Sequence, residues 1–138
     1  MKSFHAVLSG GVLLVAAFAA RAALAQSEAC KLPQPDAGRV LFAENCTACH
    51  GDQGKGGGLL AEALKLSPPD LTRLSARANG AFPSAHVLSI LRDGGGETAG
   101  GDKTMPMWSK IFAHECGEAY GQQAIAEIRR YIETLQVR

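Results

Sequence analysis

No block of like charge interrupts this chain of 138 residues, no segment repeats, and no low-complexity tract appears. Without a basic run there is no electrostatic footprint for nucleic acid, and that class of partner is set aside. No stretch alternates apolar and polar residues with β-branched side chains over several positions, so no strand is expected. The apolar run from Ala6 to Ala20 has 15 residues, short of the ~18 or more that a membrane span requires. What these absences leave is a single all-α domain.

The N-terminus has its own logic. Lys2 supplies a positive start, the apolar run follows, and Ala23-Leu24-Ala25 puts small residues three before and directly before a cut at Gln26. That is the layout of a cleaved secretory signal peptide over residues 1–25. The alternative is a retained membrane anchor, and Arg21, between the apolar run and the cut, keeps it open. Cleavage leaves 113 residues with 12 basic and 13 acidic side chains, enough for one small domain and too few for two. The 16 glycines suggest long loops. A loop-rich chain of this size has limited apolar surface of its own, so a buried cofactor would help to supply its core. All four cysteines (Cys30, Cys46, Cys49 and Cys116) lie in the exported part. In an oxidising compartment they allow two disulfides, or one modified pair and one disulfide; the connectivity stays open.

Helical spacing recurs along the chain. A first helix is expected to open near Pro35-Asp36, with Pro in its first turn, and to carry Val40 and Leu41 into Cys46. A short helix is expected over Leu59–Leu64. Ser67-Pro68-Pro69-Asp70 reads as a helix start with a Ser cap, followed by Leu71, Leu74 and Ala78 on one face and a stop at Asn79-Gly80. Pro83-Ser84 opens another helix, with Val87, Leu88 and Leu91 on one side and glycines from Gly94 at its end. The last helix groups Ile125, Ile128, Ile132 and Leu135 on one face. A Gly-rich loop over 94–104, containing Asp102 and Lys103, leads into Met105-Pro106-Met107-Trp108.

The stretch ENCTACHGD, residues 44–52, carries the chemistry. As a redox dithiol, Cys46 and Cys49 would place a thiolate at a helix N-terminus, normally after a strand, and no strand precedes them. As a zinc site, Cys46, Cys49 and His50 would need a fourth ligand. His114 and Cys116 could be recruited, but Cys49 and His50 are adjacent and a second closely spaced pair is missing. The two cysteines could also form an ordinary disulfide beside a surface histidine. As c-type haem attachment, two thiols add to the two vinyl groups on one edge of the porphyrin, and the following histidine reaches the iron. Export favours this last reading, since c-type haems are attached outside the cytoplasm.

A second iron ligand tests it independently. Methionine paired with histidine raises the reduction potential and closes the sixth position. Met105 lies 55 residues after His50, and Pro106 restrains it to an extended backbone. Met107 is the competitor, and core packing is the plain alternative for either.

On these residues the chain from about Pro35 to Leu135 resembles a class I cytochrome c of the small bacterial periplasmic group. Gly38 and Phe42 precede the attachment site in a G-x-x-x-F arrangement, and Cys46-Thr47-Ala48-Cys49-His50-Gly51 is the haem motif. Pro68-Pro69-Asp70-Leu71-Thr72 matches a segment common after the haem loop. Met105-Pro106-Met107-Trp108 matches the distal M-P-x-W form, and Tyr131 stands where the terminal helix has an aromatic. The resemblance implies a cytochrome c fold of about four to five helices around one covalently bound haem c and its iron. Cys46 and Cys49 would be the attachment points, with His50 and Met105 as axial ligands. It also implies that the first and last helices cross where Gly38 meets Tyr131, and that the Pro68 or Pro69 carbonyl accepts a hydrogen bond from His50. A Cys30–Cys116 disulfide would join the approaches to those two helices. Trp108 would pack near the haem edge or serve as an ordinary anchor. His86, His114, Lys103 and Lys110 read as surface, the lysines with a possible part in docking.

The implied function is one-electron transfer, without catalysis by the protein alone, between redox partners such as a dehydrogenase, oxidase or reductase of a respiratory chain. The protein would be a periplasmic shuttle or the cytochrome subunit of a dehydrogenase, membrane-bound only if residues 1–25 are retained. The alternative is a haem-based enzyme or gas-binding protein whose Met loop releases. Mass spectrometry of the exported protein is expected to give a chain that begins at Gln26 and carries one haem. A mass that includes residues 1–25 would identify the N-terminus as an anchor instead.

Overall fold

The computed structural model describes residues 30–95 and 105–137. The expected signal peptide, its cut before Gln26, and the stretch of the Gly-rich loop that holds Asp102 and Lys103 lie outside the described residues. The chain divides into two units at Lys31/Leu32, and all the helices described belong to the second. Among the described residues there are six α-helices, two 3-10 turns and no strand. None of these helices is long and apolar enough to cross a membrane. The helices are α1 (Ala37–Asn45), α2 (Thr47–His50), α3 (Leu74–Arg77), α4 (Ser84–Asp93), α5 (Trp108–Cys116) and α6 (Glu118–Thr134). The count exceeds the expected four to five because α2 and α3 are single turns of four residues each.

Helix α6 organises the domain. Gly121, Ala124, Ile125, Ile128 and Ile132 are buried along one stripe, the spacing of a helix that faces a core. Against that stripe pack α1, α4 and α5. Helix α1 contributes Leu41 and Phe42, α4 contributes Val87 and Leu91, and α5 contributes Phe112. Arg129, partly buried beside Ser84 of α4, pairs with Glu133 one turn on.

The crossing of α1 and α6 depends on Gly38. A Cβ at that position would overlap the Glu127 carbonyl oxygen and stand 2.9 Å from Tyr131 Cβ. Backbone therefore rests on backbone, and Phe42 sits against Tyr131 with ring centroids 5.3 Å apart. The fold is the all-α arrangement expected, with the expected crossing.

Local starts and stops differ from the sequence reading in four places. Helix α1 begins at Ala37, after Asp36 in the capping position, so Pro35 lies outside the helix. The expected helix over Leu59–Leu64 shrinks to a 3-10 turn, Ala61–Ala63, with Leu59 fully exposed. Helix formation after Ser67 is delayed to Leu71, because a residue that precedes proline is driven out of the α region. Two prolines in succession disfavour the α region at Ser67 and Pro68, and Asp70 becomes the cap. Helix α5 has no counterpart in the sequence reading. Its apolar residues occupy two faces, Trp108 and Phe112 inward, Met107 and Ile111 outward, which hides the helical period.

Gly38→Val should destabilise the haem-bound protein by about 3 kcal/mol, the upper end of the usual cost of overpacking. Denaturant unfolding would measure it. A loss below about 0.5 kcal/mol, the level of an ordinary surface change, would mean that the two helices can part without penalty.

Candidate functional site

Cys46, Cys49 and His50 occupy one tight turn. Helix α1 ends as the Cys46 N–H donates to the Phe42 carbonyl at 2.9 Å; α2 then forms as the His50 N–H donates to the Cys46 carbonyl at 2.8 Å. Cys46, Cys49 and His50 are thus three and four residues apart on a single helical turn, which brings them to one face. All three line a cavity of about 450 Å³. Cys46 and His50 are buried, and Cys49 is half-buried.

The rest of the cavity wall is mainly apolar. Phe42 from α1, Val87, Ile90 and Leu91 from α4, and Ile132 from α6 form much of it, with Leu71 and Leu74 beside Pro68 and Pro69. Met105 and Trp108 come to the same cavity from the segment that leads into α5. Trp108 also stacks on Phe112 at a centroid distance of 5.6 Å, so it is both a wall and an anchor. Met107 does not reach this cavity. It is exposed and lies with Lys110, Ile111, His114 and Glu115 along a shallow groove on the outer side of α5. His86, expected on the surface, is exposed and also borders the cavity. Its place beside Val87, four residues before Ile90, is the signal that could have found it.

The electrostatics separate the readings of the cysteine pair. Burial, helped by the neighbouring Cys49, pushes the Cys46 thiol up to about 12. A redox dithiol needs the opposite, a thiolate favoured at neutral pH. Among the described residues no group of three or more His, Cys, Asp or Glu is arranged to hold a metal ion, which leaves zinc without a ligand set. Cys30 and Cys116 are both disulfide-bonded. Cys46 and Cys49 are free thiols, so the simple-disulfide reading of this pair also falls.

His50 is prepared for coordination. Burial lowers its pKa and keeps the ring neutral, while the Pro69 carbonyl acts in the opposite sense. Its Nδ1 nevertheless makes no bond of acceptable distance and angle, the one buried side-chain polar atom so left among the described residues. A histidine placed only for packing would not carry that cost, roughly 1–3 kcal/mol. Of the two prolines, it is the Pro69 carbonyl that opposes the effect of burial on the imidazole, without a hydrogen bond of its own to Nδ1. Pro68 directs its carbonyl elsewhere, onto Gly56, where a Cβ would come within 2.8 Å of the oxygen.

The proline segment is fixed by the residues that follow it. Asp70 Oδ1 accepts from the Thr72 N–H at 2.9 Å and from the Thr72 hydroxyl at 2.6 Å. That hydroxyl is the main reason the Asp70 carboxyl is held below its ordinary range, with Arg77 and Arg73 contributing less. Thr72 is buried, and sequence reasoning had given it no role beyond the matched segment. Two thiols and a neutral imidazole on one turn, with a thioether lining the same apolar chamber, suit a large flat apolar group that carries a metal.

The family model for Cytochrome c matches residues 35–136. The chain belongs to this family, as a class I c-type cytochrome that binds a covalently attached haem c with its iron and serves as an electron carrier. Neither the curated proteins nor the solved structures compared with it gave a match.

Asp70 gives a pH prediction with a definite sign. Its pKa is depressed in the folded protein, so its stabilising effect is present above the unfolded carboxylate value of about 3.9 and is lost as pH falls through the lower folded value. The stability gap between wild type and Asp70→Ala should be constant near neutrality and close on acidification below about pH 4. Unfolding midpoints measured across that range would check it. A gap that widens towards low pH would contradict the assignment.

Proposed function

We propose that His50 and Met105 are the axial ligands of the haem iron, and that the protein is a periplasmic one-electron carrier serving redox protein partners. The observation that carries this reading is the shared cavity: Cys46, Cys49, His50 and Met105 all line it, whereas Met107 faces another groove. When bound, the haem supplies a ferric/ferrous couple that moves single electrons.

The chain's own residues make that couple usable. Cys46 and Cys49 offer two thioether anchors, which hold the group without relying on axial bonds. His50, neutral and buried, presents a nitrogen lone pair for the iron. Met105 supplies a soft thioether donor, which raises the reduction potential. Val87, Leu91 and Ile132 exclude water from the chamber, so oxidation and reduction need little solvent reorganisation. With both axial positions filled by protein, no site remains for a small substrate, which favours a carrier over an enzyme or gas-binding protein.

The signal peptide read in residues 1–25 supports export, and with it a periplasmic location. An overall charge close to neutral in the exported part gives no strong preference for a partner of one sign. The partners are other electron-transfer proteins, either donors such as dehydrogenases or acceptors such as oxidases and reductases.

Substitution of the ligands tests the proposal. A pyridine haemochrome assay should report thioether-linked haem in the wild type, with loss of that signature in a Cys46→Ala/Cys49→Ala variant. Met105→Ala should convert the low-spin ferric spectrum to high spin, lower the reduction potential and open the ferrous form to CO. Met107→Ala should change none of these. Rapid CO binding by the wild type at neutral pH would instead favour the releasable-loop alternative.

A further inference from the structure

The start of α5 is held against the end of α4 by two contacts. Ser109, buried in the first turn of α5, donates its hydroxyl to the Arg92 carbonyl at 3.1 Å. Arg92 stands one residue before the end of α4, where carbonyls have no partner within the helix. Ser109 supplies one from 17 residues away. The second contact lies just past the helix. Gly94 takes a left-handed φ of 78°, and a Cβ there would stand 2.8 Å from the Met105 carbonyl oxygen and 3.4 Å from Met107 Cγ. The chain that leaves α4 therefore rests directly on the backbone of Met105.

Helix α6 supports the same place. A Cβ at Gly121 would stand 2.5 Å from the Ser109 carbonyl oxygen and 3.0 Å from Ala113 Cβ, so α6 lies on the backbone of α5 at Ser109. Three helices thus meet at this one residue. Met105, four residues earlier, is half-buried and is joined to Ser109 by a stiff connection. The Lys110 and Ile111 N–H groups donate to the Met107 carbonyl at 3.1 and 3.2 Å, and Pro106 restricts both its own backbone and that of Met105. A shift of the chain at Ser109 is therefore passed on to Met105.

We propose that Ser109 is a positioning residue for Met105: its hydroxyl, by fastening the start of α5 to the end of α4, keeps the thioether in the chamber. This rests on the reading of Met105 as an iron ligand. Ser109 is not part of the chamber wall, so it acts through the backbone alone. Without the hydroxyl the Arg92 carbonyl loses this partner, and the two segments part more readily. The fraction of molecules with Met105 away from the iron rises, and an external ligand that competes for the sixth position gains by the same factor. Ser109 thereby separates a closed carrier from a haem protein open to small ligands.

The test uses the haem-bound protein. Carbon monoxide association with the ferrous form and imidazole binding to the ferric form both require Met105 to leave the iron, so they read its hold directly. Ser109→Ala, which removes only the hydroxyl, should speed CO association and tighten imidazole binding by about tenfold each, the effect of one lost buried hydrogen bond. Its resting spectrum should stay low-spin. Gly121→Ala, which presses a methyl group onto the Ser109 carbonyl, should move both readouts in the same direction. Ile128→Val, two turns further along α6, should lower the unfolding midpoint by a comparable amount and leave both readouts unmoved. Should Gly121→Ala fail to yield folded protein, Ser109→Ala carries the test. Wild-type CO and imidazole binding in Ser109→Ala, or an equal gain in Ile128→Val, would overturn the proposal. Met105→Ala separates that failure from failure of the reading beneath it: if this variant binds CO no faster than wild type, Met105 is not the ligand.

Discussion

The contact of α1 with α6 at Gly38 is the constraint on which the rest of this domain depends. Helix α1 lies directly on the backbone of α6, and that closeness brings the turn after α1 to the stripe of Ile125, Ile128 and Ile132. Cys46, Cys49 and His50 occupy that turn. One side chain at Gly38 would force the helices apart and move the turn with them. The interior packing leaves little room for compensation, since Phe42, Ile125 and Ile128 are all almost wholly buried.

From this crossing the site is assembled by attachments of different kinds. The attachment turn is local: it follows from hydrogen bonds between residues three and four apart. The proline segment is remote. Two prolines prevent a helix from starting early, Asp70 and Thr72 cap it at the first position allowed, and Gln136 and Val137 hold it from the chain end. Met105 arrives by a third route, at the start of the segment that leads into α5. A small chain thereby surrounds a large apolar chamber with three separate pieces of backbone.

The electrostatics of the chamber suit a carrier whose group is permanently installed. Burial suppresses ionisation of the Cys46 thiol and of the His50 imidazole alike. Neither group is set up for acid–base chemistry or thiol exchange in the exposed sense. Both are well placed for covalent attachment and coordination, which use the uncharged imidazole and consume the thiols. The family membership and the chamber therefore lead to the same account of what the site holds.

Much of this was legible in the residues themselves. The C-x-x-C-H run specifies its own geometry because its members are neighbours on one helical turn, and the isoleucines of α6 declare a buried face through their spacing. Met105 and the proline pair were legible as types of residue at expected distances along the chain. Other features depended on contacts between distant parts. Helix α5 was obscured because apolar side chains on its outer face blur the period. The choice between Pro68 and Pro69, and between Met105 and Met107 as the residue that faces the chamber, turned on which way the backbone was led. The bonds of Gln136 to Ser75 and Leu71 span more than sixty residues, which no local pattern encodes. The sequence by itself determined the chemistry, because attachment and ligation need particular side chains at short range. Only the tertiary structure decided which methionine lines the chamber and how the chain end is tied to the proline segment, because those choices are made by packing across the domain.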